Sequence, residues 1–163
     1  RHRTVHSPLL KSAIEIADRH SNILAGALHD LTQEEPLSAD RLIQADPQLI
    51  RLLDQIQSRF TKLQDHLGNR LFPALLDALA EDVPLSMIDR LDRLEKLGYL
   101  ESSDTWFALR ATRNRLAHDY PTSPDELAAE VDNAVGAART LVALWGVLRS
   151  KITTHPTLRA AIG

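Results

Sequence analysis

Apolar positions along this chain recur at intervals of three and four, with no convincing stretch of period-two alternation, which predicts an all-α protein. Ser7 followed by Pro8 is a cap with proline at the first helical position, and it opens a helix to about Leu31 with Leu10, Ile14, Ala17, Leu24 and Leu28 on its apolar face. Pro36 ends that segment, and a short helix from 38 to 45 follows. Asp46 and Pro47 repeat the start signal. Leu49, Leu53, Ile56, Phe60, Leu63 and Leu67 then form the stripe of a long bundle helix. Gly68 and Pro73 interrupt its continuation, so a kink or break is expected near Phe72.

Beyond Pro84 the pattern predicts a helix from about 86 to 97, closed by Gly98. Another is capped by Ser102 or Ser103 and limited by Pro121. Ser123 and Glu126 form a capping box that launches the last long helix through Val131, Val135, Ala138, Leu141, Val142, Trp145, Leu148 and Ile152. No internal repeat is present. Short loops and several long amphipathic helices favour an up-and-down bundle of four to five helices, a single domain over 1–163.

The helix before Pro121 is the unusual one. At about 100° per residue, Trp106, Phe107, Leu109, Ala111, Leu116, Ala117 and Tyr120 form a broad apolar arc opposite Ala108, Thr112, Arg115 and Asp119. Arg110, Arg113, Asn114 and His118 fall inside that arc, where charge is costly unless paired or hydrogen-bonded. A guanidinium suits phosphate oxygens, and an imidazole can move protons near neutrality. On a continuous helix, Arg110, Asn114 and His118 would form one ridge, with Arg113 roughly 7.5 Å along the axis from His118. A phosphodiester fits that gap, with Asn114 orienting the ring. The bland alternative is that Arg113 bridges helices through an acidic partner and that His118 is a satisfied core histidine.

Arg113, His118 and Tyr120 spell R-x4-H-x-Y, with Asn114 directly after the arginine. This resembles the signature of the HEPN superfamily in its HepT-like toxin branch. The stretch RFTKLQD from Arg59 to Asp65, with Leu71 and Phe72 and the later run DRLEKLG from Asp92 to Gly98, is similar to small bacterial members of that group. The likeness spans roughly residues 40–153. It implies a HEPN-type bundle, paired as a two-fold homodimer that brings two motifs into one cleft. It also implies cleavage of RNA, with tRNA as a candidate target, without metal or other cofactor. In that chemistry the ribose 2′-hydroxyl attacks the adjacent phosphate, His118 handles a proton and Arg113 stabilises the phosphorane. Arg110 and Asn114 are supporting residues. Tyr120 would be the hydroxyl that a nucleotidyltransferase antitoxin of the MNT type decorates with AMP, silencing the toxin. A non-catalytic helical partner of such a transferase, or a pure assembly module, are the competing readings.

Charge and composition narrow the setting. With 19 Lys and Arg against 22 Asp and Glu, the formal net charge is -3, so RNA contact must be local rather than a general basic coat. Absence of cysteine excludes disulfides and thiolate metal sites. His2, His6, His20, His29, His66 and His155 are too scattered for a metal set. The cluster of Arg59, Lys62, Asp65 and Arg70 reads as a solvated helix face that could border the cleft, and it receives no role. Trp106 and Trp145 are expected core or interface anchors. No apolar run is long enough to span a bilayer and no leader is recognisable, so a cytoplasmic protein without membrane contact is expected.

Overall fold

A computed structural model describes residues 7–118, 121 and 123–163. Helix α1 covers Pro8–Thr32, α2 Ala39–Ile43 and α3 Pro47–His66. A π-helical turn, Leu67–Leu71, joins α3 to α4, Phe72–Ala78. Then come α5, Met87–Lys96, α6, Ser103–Arg115, α7, Pro124–Thr154, and α8, Pro156–Ile162. The described residues contain no strand, so the chain is all-α.

The expected start signals operate as capping chemistry predicts. The Ser7 hydroxyl accepts from the Leu10 amide and the Asp46 carboxylate from the Leu49 amide, each satisfying an otherwise unpaired N–H of a first turn. Ser38, Ser86 and Ser102 do the same for α2, α5 and α6. Ser123 differs. Its side chain makes no capping bond, so the expected capping box reduces to proline at the helix start and two acidic residues in the first turn. Gly98 closes α5 in the left-handed region at φ 82°, and the Tyr99 amide reaches back to the Leu94 carbonyl.

The break expected near Phe72 is instead a widened turn. Proline has no N–H, and its ring crowds the carbonyl four residues back. The Phe72 amide bonds the Leu67 carbonyl, five residues back, so the backbone is already loosened where Pro73 must fit. Gly68 lies in this turn, and a Cβ there would come within 3.1 Å of both the Met87 methyl and the Trp106 ring. The turn therefore lets α5 and α6 approach closely. Trp106 is fully buried, its ring centroid 4.8 Å from that of Phe72.

Cross-helix bonds fix the helix directions. His66 bonds the Ala13 carbonyl and Arg59 bonds His20, so α1 and α3 run antiparallel. Trp145 and Arg149 meet Asp18 while Arg139 meets Glu35, so α7 is also antiparallel to α1. Arg113 reaches Asp65 and Gln57 reaches Leu116, which sets α6 against α3. The four longer helices α1, α3, α6 and α7 thus alternate in direction. Their shared core holds Leu10, Leu24, Phe60, Leu63, Trp106 and Trp145.

Candidate active site

Helix α6 buries a narrower and differently placed stripe than its apolar pattern implies. Trp106, Leu109, Thr112 and Leu116 face inward, whereas Phe107, Ala111 and Ala117 are exposed. Thr112, assigned from the pattern to the polar ridge, is 4% exposed, and its hydroxyl receives Asn133 from α7 and Arg115 from its own helix. Periodicity gave the arc, but the neighbours α3 and α7 cover only its edge. Arg110 and Asn114 therefore do not point at the chain's core. They lie on an exposed face with Phe107 and Ala111, and neither makes an ion pair or side-chain hydrogen bond among the described residues.

Arg113 is half-buried and turned toward α3. Its Nε donates to Asp65 Oδ1 at 3.0 Å and its Nη2 to Asp65 Oδ2 at 2.9 Å, a planar two-point pair. This bonding to the carboxylate raises the arginine's pKa above its ordinary value, so the guanidinium stays charged at any working pH. The acidic partner named in the bland sequence reading therefore exists. Even so, the pair is not deep in the core, since about a third of each side chain remains exposed.

The motif helix is shorter than the pattern implies. It ends at Arg115, and Leu116, Ala117 and His118 form tight turns in which Ala117 donates to Asn114 and His118 to Arg115. The Gln57 amide donates to the Leu116 carbonyl at 2.9 Å, tying this end to α3. His118 consequently leaves the helical ridge expected to join it to Arg110 and Asn114. It is exposed, and no hydrogen bond joins it to Asn114. Tyr120 and Asp119 lie outside the described residues, so the expected AMP acceptor has no described position.

Two residues given no role in the sequence reading belong to this neighbourhood. Asp65 orients Arg113, and Lys62 lines the same cleft as Arg113, Leu116 and Ala117. Their spacing on α3 was visible, but only the α3–α6 contact shows that this face meets the motif. Arg115, expected to be solvated, is half-exposed and lies 3.9 Å from Glu130. Among the described residues no three His, Asp or Glu side chains gather as a metal site would require, and no helix is long and apolar enough to cross a membrane.

Compared with models of known protein families, with curated proteins and with solved structures, the chain matches none.

Proposed function

We propose that this chain is a metal-independent endoribonuclease of the HEPN type, the HepT-like toxin of a toxin–antitoxin pair whose antitoxin is an MNT-type nucleotidyltransferase. The observation that carries the reading is that Arg113, the arginine of the R-x4-H-x-Y sequence motif, lines a cleft at the end of α6, with Arg110, Asn114 and His118 exposed on or just after the same helix. In the proposed reaction the 2′-hydroxyl loses its proton and its oxygen bonds phosphorus. The bond from phosphorus to the 5′-oxygen breaks, and that oxygen takes up a proton. The products are a 2′,3′-cyclic phosphate and a free 5′-hydroxyl.

His118 performs one proton transfer, typically worth about 10²- to 10⁴-fold in rate, while Arg113 stabilises the phosphorane's charge. A second histidine is needed for the other transfer. A two-fold dimer would supply it, and the exposed Phe107 and Ala111 on α6 give such a dimer an apolar contact. AMP on Tyr120 would add negative charge next to the motif and block it.

Expression without the antitoxin tests the reading. The native chain should arrest growth and fragment RNA, leaving cyclic phosphate ends, while Arg113→Ala and His118→Ala should lower cleavage by at least about 100-fold. Full activity in His118→Ala would refute it. The two-point hold of Asp65 on Arg113 favours a second reading, in which the pair is structural and the chain is a non-catalytic partner of the transferase. That reading requires the native chain to leave RNA intact while still forming a complex with the transferase.

A further inference from the structure

The face of α3 that fronts the end of α6 is polar along its length. Asp54, Ser58, the adjacent Thr61 and Lys62, and Asp65 fall within about 100° of arc at about 100° per residue, so they share one side of the helix. This side floors a cleft of about 470 Å³ whose opposite wall is Arg113, Leu116 and Ala117. Small-molecule sites commonly enclose about 300–1,000 Å³. The wall is fixed at two points, by Gln57 on the Leu116 carbonyl and by Asp65 on Arg113, so the cleft is preformed.

Its chemistry is graded from end to end. Near Asp65 it carries two cations against one carboxylate: Lys62 is exposed and makes no ion pair among the described residues, and Arg113, paired with Asp65 through Nε and Nη2, keeps an Nη1 that makes no hydrogen bond among them. The Ser58 and Thr61 hydroxyls come next, likewise without a hydrogen bond among the described residues. Asp54 closes the far end, roughly 12 Å along the helix axis from Lys62 at about 1.5 Å per residue. Leu116 and Ala117 supply apolar surface along one side. Anion at one end, hydroxyl partners in the middle, a flat apolar body and a donor edge at the other end describe a nucleotide.

We propose that this cleft is a subsite for one nucleoside 5′-phosphate unit. The phosphate binds Arg113 Nη1 and Lys62, the sugar hydroxyls bond Ser58 and Thr61, and the base lies on Leu116 and Ala117 with its amino edge toward Asp54. A carboxylate accepts hydrogen bonds from the exocyclic amines of adenine, cytosine and guanine, and uracil has no such amine. The cleft therefore discriminates against uracil. That an RNA strand supplies the nucleotide rests on the ribonuclease reading above; the affinity of the cleft for a nucleotide does not.

Titration of the full chain with AMP, CMP, GMP, UMP and inorganic phosphate, followed by backbone amide NMR shifts, tests the assignment. Shifts should concentrate at Ser58, Thr61 and Ala117, and CMP should bind at least about tenfold more tightly than UMP, the size of one hydrogen bond to a charged group. Asp54→Asn should remove that preference, and Lys62→Ala should weaken every nucleotide and phosphate alike. Both positions are exposed, and the amide spectra themselves report whether the variants fold. Nucleotides binding no better than inorganic phosphate, or shifting residues elsewhere, would overturn the subsite. Cleavage of RNA by a chain that binds no mononucleotide would reject the subsite alone. Nucleotide binding in the cleft by a chain that cuts no RNA would reject only the ribonuclease.

Discussion

Asp65 and Arg113 determine how the motif can act. A partly exposed ion pair contributes little to folding, so Asp65→Asn should lower stability by no more than about 1 kcal/mol in thermal denaturation. Under the ribonuclease proposal, its effect on RNA cleavage should be larger and divided. Loss of the carboxylate strengthens the local positive field and should lower KM, while a guanidinium no longer held in place should lower kcat by about tenfold. A purely structural pair would move neither constant beyond the loss of folded protein. The identity of the motif residues was legible in the sequence, but their partners were not. Asp65 is 48 positions from Arg113, and only the antiparallel meeting of α3 and α6 puts them within 3 Å.

Elements were more readable than the faces they bury. Proline-bearing start signals located α1, α3 and α7 because proline's fixed φ suits the first turn, where the N–H it lacks would have had no intrahelical acceptor. The widened turn at Leu67–Leu71 could not be separated from a break, since glycine and proline in a helical pattern signal both. That turn has a testable consequence. Gly68→Ala should destabilise the protein by about 1 kcal/mol despite alanine's helix propensity, because the buried Trp106 ring has no room to retreat. Ala80 presents the opposite situation. It follows α4 in the left-handed region at φ 58°, where the Glu81 amide returns to the Leu76 carbonyl, and Ala80→Gly should raise stability by about 1 kcal/mol in the same assay. Likewise, the pattern of α6 gave its apolar arc but could not show that the neighbouring helices leave Phe107 and Ala111 uncovered.

Across the whole molecule, alternation of α1, α3, α6 and α7 follows from amphipathic stripes and loop lengths already evident in the chain. Its response to pH does not, because that depends on which cations converge. His20 accepts from Arg59 at 3.0 Å, lies edge-on to the His66 ring and feels the charge of Lys62 and Arg19. Burial, reinforced by these positive neighbours, lowers its pKa below the ordinary 6.5. Protons therefore bind the unfolded chain more tightly than the folded one at this site. Its contribution to stability is complete above about pH 6.5 and is lost as pH falls toward the folded value. Denaturant titrations across that interval should show the loss, and His20→Gln should flatten it.

The two indoles differ in a way that can be used. Trp145 donates to Asp18 at 2.9 Å on the seam between α1 and α7, whereas the Trp106 Nε1 is buried with no partner among the described residues, against Phe72. Their emission colours should consequently diverge, one tuned by a nearby carboxylate and the other by a dry aromatic neighbour. With one tryptophan replaced by phenylalanine at a time, light from a single chain would follow the far seam and the motif helix as separate channels.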